Sequence, residues 1–463
     1  MRKENLLKLL AMYKQDALIK DYGGMSPHQQ NIFLKNLGRL DVKLVFKLHK
    51  RFSSQDHVTP MQQKIQPARI ITIPETDREK ELEQKARQEG EKLLKDGKVA
   101  VLIVAGGQGS RLGFDGPKGF YPISPVKNKT LFQLFAEQVK AVSIRYNTWI
   151  PLLIMTSEEN HDDTVNFFET QRYFGLNKNT IFFFRQNILP AITPDGEFVL
   201  KNDTDFFANP DGHGGSLKGL FDSGMLDMLT KKGITELFYC QVDNPLVKIA
   251  DPVFLGYHAI ANAEVSTKVV RRRSIEEKVG VYLNRGSKEA IIEYSDLEPE
   301  YMSALDDKGN ILYWAGNTAI HIFSLPFIKK INKRGFALPY HCAKKKVDKP
   351  ERAKDGRPTS LDIWKFETFV FDAIPLAERT CCMEVSREEE FAPVKNKDGT
   401  DSPETTRQAM IDLFRNWLGK ADIKATPGAA VEISPLFALD ENELIQKIKN
   451  SRMPIETDTY FGE

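Results

Sequence analysis

Two periodicities divide the chain. Up to residue 96 apolar positions recur at helical spacing: Ile32, Phe33 and Leu37 share one face, as do Val42, Val45 and Leu48 within 41–52. Ser26-Pro27-His28-Gln29 sets a capping serine three residues before glutamine, with proline at the first helical position. Thr76-Asp77-Arg78-Glu79 repeats the box before a highly charged helix that should stop at Gly97. From Lys98 the pattern changes. Val99-Ala100-Val101-Leu102-Ile103-Val104 is an unbroken apolar run rich in β-branched residues, which predicts a parallel strand buried on both faces. Thr130-x-x-Gln133 then opens a helix with Leu131, Leu134, Phe135, Val139 and Val142 inward. Further strands are expected at 152–155, 181–184 and 237–242, with a helix at 164–170. Strands alternating with helices predict an α/β fold of βαβ units that binds ligands at the carboxyl ends of its strands.

Beyond residue 267 short strands follow closely, at 268–272, 280–283, 290–294 and 313–323, and suggest an antiparallel extension of the sheet. After Met383 the chain is charged, turn-rich at 395–403, and then helical over 405–419. With ~150 residues per domain as a guide, 463 residues suggest about three regions. The expected divisions are an N-terminal helical region (1–96), a central catalytic domain (97–384) and a C-terminal region (385–463). No internal repeat is apparent.

The hydrophobic fraction of 41% and charged fraction of 28% are those of a globular chain. Sixty-five Lys and Arg against 63 Asp and Glu leave a net charge of +2, which argues against a protein that coats nucleic acid or anionic membrane. Apolar runs such as 99–105 are far shorter than the roughly 20 residues of a membrane span. The start, Met1-Arg2-Lys3-Glu4, is charged and does not read as a signal peptide. Cys381 and Cys382 are adjacent while Cys240 and Cys342 stand alone, so neither zinc nor a disulfide framework is suggested. Buried reduced thiols in a cytoplasmic protein are the expectation. Nothing in the sequence indicates an oligomeric state.

The chemistry begins where the first apolar strand ends. Ala105-Gly106-Gly107-Gln108-Gly109-Ser110-Arg111-Leu112-Gly113 runs on to Pro117-Lys118-Gly119. Glycines at a strand end let backbone N–H groups approach an anion closely. The loop is not a P-loop, because G-x-x-x-x-G-K-[ST] does not occur. It is not a dinucleotide loop either, since Ser110, Arg111 and Leu112 follow Gly109 and the helix starts much later. What remains is a glycine loop with its own cations. Arg111 suits bidentate contact with phosphate oxygens and Lys118 supplies a point charge, a combination fitted to a nucleoside triphosphate.

The full run G-G-x-G-S-R-L-G-x-x-x-P-K resembles the signature of sugar-nucleotide pyrophosphorylases. It is similar to the UDP-N-acetylglucosamine and UDP-sugar pyrophosphorylase family within the UDP-glucose pyrophosphorylase superfamily. The similarity continues in order through Gln186-Asn187-Ile188-Leu189-Pro190-Ala191, Pro210-Asp211-Gly212-His213-Gly214-Gly215 and Tyr239-Cys240-Gln241-Val242-Asp243-Asn244. Glu293-Tyr294-Ser295, Ala315-Gly316-Asn317, Lys365-Phe366-Glu367 and Phe391-Ala392-Pro393-Val394-Lys395-Asn396 extend it. The resemblance implies a Rossmann-like, GT-A-like nucleotidyltransferase domain with a mixed sheet.

It also implies uridylyl transfer. A sugar 1-phosphate oxygen attacks the α-phosphorus of UTP in line and pyrophosphate leaves, with Mg²⁺ as cofactor. Arg111 and Lys118 are then expected at the β- and γ-phosphates, Asp243 at the metal, and Lys395 at the transferred phosphate. A catalytic Lys395 requires the C-terminal region to fold over the site as a lid. No second metal carboxylate stands out. Ala105, Gly106, Gly107, Gly109, Gln186, Gly212 and His213 are the nucleotide-binding candidates; Gly280, Glu293, Tyr294 and Asn317 are those for the sugar. Relatives specific for N-acetylhexosamines carry Asn where this chain has His213, and His is frequent in those acting on glucose or galactose 1-phosphate. Formation of UDP-N-acetylglucosamine is the leading expectation. UDP-glucose or UDP-galactose synthesis is the alternative, and a non-catalytic sugar-nucleotide sensor a remote one. Arg271-Arg272-Arg273 reads as a strand with some exposed charge, not as a phosphate patch.

Overall fold

Val99–Val104 lies at the middle of a ten-stranded mixed sheet, as its unbroken apolar sequence requires. The computed structural model describes residues 3–54, 64–352, 358–449 and 454–462. In chain order the strands of this sheet are β1 (Ile65–Gln66), β2 (Val99–Val104), β3 (Leu152–Thr156), β4 (Ile181–Arg185) and β5 (Glu236–Gln241). They continue as β6 (Val265–Arg271), β7 (Val281–Arg285), β8 (Lys288–Ile292), β9 (Ala315–Ser324) and β10 (Thr380–Glu384). The main order is β1-β7-β9-β5-β2-β3-β4; β8 pairs with β7, and β6 joins β9 to β10. Strands β5, β2, β3 and β4 are parallel, whereas β9 runs antiparallel to β5, β6 and β7. Both expectations are met, the parallel βαβ core and its antiparallel extension, with boundaries displaced by at most three residues; β10, parallel to β6, was not expected.

The chain forms two compact units. One comprises 64–185, 219–336 and 373–463, and holds the large sheet. Its core joins Val101, Ile103, Phe132, Phe135 and Ile154 to Met410, Leu418, Val431 and Leu444 from the C-terminal stretch. Positions 96/97 and 384/385, where the texture of the sequence changes, both fall inside this unit. Helix Asp77–Lys95 is capped by the predicted Thr76–Glu79 box and buries Ala86, Gly90 and Leu94. It meets helix Pro252–Ile260 backbone to backbone. A Cβ on Gly90 would stand 1.8 Å from Pro252 O, and one on Gly256 1.6 Å from Ala86 O, so no larger side chain fits either place. That contact, between segments far apart in sequence, ties the helix to the sheet unit and not to the helices before it.

The other unit comprises 1–63, 186–218 and 337–372. Helices Lys3–Met12, Asp16–Gly24, Pro27–Leu37 and Val42–Ser53 bury Leu10, Phe33, Leu37 and Val45 against Leu189, Ile192, Phe206, Trp364 and Phe366. The Ser26–Gln29 capping box forms in full. All four cysteines are free thiols, with Cys240, Cys381 and Cys382 buried. No described helix is long and apolar enough to cross a membrane.

Candidate active site

Adjacent parallel strands deliver the glycine loop and Asp243 to the same end of the sheet. Val104, the last residue of β2, is level with Gln241, the last of β5, and the Val242 N–H donates to Val104 O at 3.1 Å. This is the carboxyl end of two central strands, where open α/β sheets place their ligands. The glycine loop is tied off by its own backbone. Gly109 N donates to Gly116 O at 2.8 Å and Lys118 N to Gly107 O at 3.1 Å. Ala105 is fully engaged: its N–H donates to Met155 O and its carbonyl accepts from Asn160 Nδ2 at 2.9 Å. The N–H groups of Gly106 and Gly107 make no hydrogen bond among the described residues, which leaves them available to an anion or a base edge. Arg111 is exposed on the single turn Ser110–Leu112 that follows.

The C-terminal stretch completes this group. Lys118 Nζ lies 3.8 Å from Asp243 Oδ2 and donates to Val394 O at 3.3 Å, while Val394 N donates to Asp243 O at 2.8 Å. Lys118 and Asp243 are both mostly buried, so the pair is screened only in part. Lys395 follows directly; its backbone N–H donates to Asp401 O at 2.7 Å and its ammonium is 5.8 Å from the Phe391 ring centroid. The alkyl chain of Lys397 passes 3.5 Å from where a Cβ on Gly113 would be, so the 391–401 segment also touches the glycine loop. Burial pushes the neighbouring Cys240 thiol far up, and Asp243 adds to the effect, so this cysteine stays protonated. Among the described residues no group of three or more His, Cys, Asp and Glu side chains is placed to hold a metal. Asp243 is a single carboxylate. That fits Mg²⁺, which takes one or two protein carboxylates and completes its octahedron with water and phosphate oxygens.

The sugar candidates gather on the antiparallel side. Asn317 N donates to Gly280 O at 2.8 Å, and a Cβ on Gly280 would lie 3.3 Å from Glu293 Oε1. Strand β9 bulges between Asn317 and His321, with Ala319 at φ 57°, and Asn317 Oδ1 accepts from Ala319 N at 2.9 Å. His321 pairs with Tyr239, so the antiparallel ladder carries Asn317 toward the end of β5 that bears Asp243. Tyr294 is 39% exposed and is not a core aromatic. Arg271-Arg272-Arg273 ends strand β6 with some exposed charge, as expected, on Arg271 and Arg273. Arg272 is buried and donates to the carbonyls of Met302, Tyr313 and Ile275, while Arg271 pairs with Glu384 at 2.7 Å.

The remaining nucleotide candidates come together inside the other unit. Gln186 Nε2 donates to Gly212 O at 2.8 Å. Gly212 has φ +84°, and a Cβ there would sit 2.3 Å from Thr368 O, so this position needs glycine twice over. Thr368 N donates to Asp211 O and Gly214 N to Thr368 O, which zips the loop to the 368–371 segment. His213 joins the same zipper: its Nδ1 accepts from Val370 N at 3.1 Å and its ring stacks on Phe369 at 5.4 Å. Asn160 and Asn244 both hold the site's backbone, yet only Asn244, beside Asp243, carried a signal in the sequence. A cavity of about 410 Å³ opens elsewhere in the sheet unit, lined among others by Tyr146, Leu246, Met410 and Trp417; none of the site residues selected from sequence lines it.

A strand-end glycine loop with its own cations, an opposed carboxylate and a C-terminal segment bonded to both form the arrangement expected of a nucleotidyltransferase. The family model described as UTP–glucose-1-phosphate uridylyltransferase matches residues 43–452, and the chain belongs to that family. It is 33% identical over 481 residues to the UDP-N-acetylglucosamine diphosphorylase 2 of Arabidopsis thaliana, covering 97% of this chain and 93% of the relative. It is 37% identical over 362 residues to the UDP-N-acetylglucosamine pyrophosphorylase of Saccharomyces cerevisiae, covering 76% of each. The fold matches the crystal structure of the uridine diphosphate N-acetylglucosamine pyrophosphorylase of Trypanosoma brucei in complex with inhibitor. There the TM-score is 0.83 at 24% identity, over 99% of this chain and 98% of that one.

Proposed function

We propose that this protein is a UTP:sugar-1-phosphate uridylyltransferase that joins UTP to N-acetylglucosamine 1-phosphate, releasing UDP-N-acetylglucosamine and pyrophosphate. The observation that carries the reading is the juxtaposition of Lys118, Asp243 and Val394 where β2 and β5 end. The sugar phosphate oxygen forms the new P–O bond as the bond to pyrophosphate breaks, so the protein's task is alignment and charge neutralisation. The open N–H groups of Gly106 and Gly107 receive the nucleotide. Lys118 and the exposed Arg111 take up charge as pyrophosphate leaves, and Lys395 serves the transferred phosphate. Asp243 is the residue that would hold Mg²⁺, which when bound neutralises phosphate oxygens. Gln186 and Gly212 are assigned to the uracil edge, and Gly280, Glu293, Tyr294 and Asn317 to the sugar.

His213 is occupied as a brace: its Nδ1 is spent on Val370 N–H, which makes it a determinant of the 368–371 segment. The acetamide preference follows from the names of the relatives and from the capacity of Asn317 to serve both a hydroxyl and an amide. Four free thiols, three of them buried, favour a cytoplasmic location.

The test is a competition. Purified protein receives UTP, Mg²⁺ and equal amounts of the 1-phosphates of N-acetylglucosamine, glucose and galactose, and the UDP-sugars are read by mass spectrometry. A dominant N-acetylhexosamine product is expected. Hexose products would overturn the sugar assignment, and no product at all would overturn the enzyme.

A further inference from the structure

Strand β6 carries a lysine where its neighbours are buried. Lys268 has no exposed surface, and its ammonium donates to Asp251 Oδ2 and to Glu390 Oε2, each at 2.6 Å, with the Phe254 ring centroid 5.3 Å away. A second cation joins at the edge: Lys248 Nζ lies 2.7 Å from Glu389 and 3.6 Å from Glu390 Oε1. Two lysines therefore face three carboxylates. Such a buried network is a poor stabiliser, because desolvation offsets most of the Coulombic gain and apolar packing does as well. Its distinguishing property is directional: it fixes which segments meet and at what register.

The segments it joins are those that carry the chemistry. Asp251 lies eight residues beyond Asp243 and caps helix Pro252–Ile260, and Glu390 lies five residues before Lys395. Between them, Asn244 closes the gap. Its Nδ2 donates to Glu390 O at 2.7 Å and its Oδ1 accepts from Ala392 N at 3.1 Å, bracketing Phe391 on both sides. Asp243 O then accepts from Val394 N, and Val394 O from Lys118 Nζ. Side-chain and backbone hydrogen bonds of Glu390, Asn244 and Asp243 thus link the buried lysine to the residue before Lys395.

We infer that Lys268 and Asn244 are positioning residues, which hold the Glu390–Val394 segment against the end of β5 and so set Lys395 relative to Asp243. This rests on the uridylyltransferase reading for what the geometry is for, though the clamp itself can be read without turnover. Misplacement of a reacting group by about 1 Å costs on the order of 100-fold in rate.

The experiment is a double-mutant cycle with a second, activity-free readout. Asn244→Ala should lower kcat roughly 10- to 100-fold with the KM for UTP changed less than about threefold. Asn244→Asp, which keeps the acceptor for Ala392 N–H but sets a carboxylate oxygen against Glu390 O, should not recover the loss. In a Lys395→Ala background, Asn244→Ala should cost less than about twofold more, because both act through the same lysine. Additive losses in the two backgrounds, or no loss in the first, would overturn the inference. Amide hydrogen exchange across 391–396 should quicken in Asn244→Ala and in the charge-balanced Lys268→Met/Glu390→Gln, with β2 still protected. Unchanged exchange there would overturn the clamp whatever the activity, and a wild type inactive with every sugar phosphate would overturn the functional reading alone.

Discussion

Replacing Lys118 with alanine should separate turnover from folding. At 3.8 Å from Asp243, with both side chains mostly buried, the gross Coulombic attraction is about 4 kcal/mol at an effective dielectric near 20. Desolvation of the two groups offsets most of it, and the single hydrogen bond to Val394 O contributes roughly 1 kcal/mol net. The expected loss of stability is therefore about 1 kcal/mol, or about 2 °C or less in a chain of this size. In the role proposed for it, the same ammonium faces charge developing on pyrophosphate in the transition state, with no solvent reorganisation to share the work. Removing one preorganised group of this kind lowers kcat on the order of 10²- to 10³-fold. Pyrophosphate release under saturating UTP and sugar phosphate gives kcat, and thermal unfolding of the same preparation gives the midpoint. Wild-type turnover in the variant would refute the assigned role. A midpoint lowered by about 10 °C or more would show instead that the lysine is structural, since that far exceeds about 1 kcal/mol.

Three further outcomes are expected. Asp243→Asn should raise the Mg²⁺ concentration for half-maximal rate, measured by titration at fixed UTP; an unaltered requirement would make the carboxylate structural. Gly212→Ala forces a side chain into φ +84° against Thr368 O, a strain of about 1–3 kcal/mol, so the KM for UTP should rise about tenfold or more. The pH dependence of stability follows from the buried network. Burial raises the Asp251 carboxyl, but the Lys268 ammonium, helped by Lys248, overrides this and holds it below its ordinary value. Glu389 is lowered likewise, against burial, by Lys248. Carboxylates with depressed folded values stabilise the fold above their unfolded values, about 3.9 for Asp and 4.3 for Glu, and that contribution is lost as pH falls. The melting midpoint should thus hold down to about pH 5 and drop below about pH 4. Asp251→Asn should flatten that acid limb, and an identical limb in the variant would remove the network from its origin.

What the sequence determined is local. Helix caps at Ser26 and Thr76, the two-sided burial of 99–104 and the glycine loop all come from contacts within a few residues, so periodicity and spacing expose them. Arg111 and Lys118 were legible as cations following a strand end, and Asp243 through the family resemblance of its strand-end segment. Tertiary structure decided the rest. The bond from Lys118 to Val394 spans 276 residues and that from Lys268 to Glu390 spans 122, and no local pattern encodes either partner. Residues 385–463 read as a separate region because charge and turns dominate them, yet Met410, Leu418, Val431 and Leu444 pack into the same core as β2. Helix Asp77–Lys95 read as continuous with the N-terminal helices, and two glycines in close backbone contact place it with the sheet. His213, read as a nucleotide contact, has one ring nitrogen already committed to Val370. Short-range preferences choose the elements; which distant side chain meets which carbonyl depends on sheet order and register, and those exist only once the chain has folded.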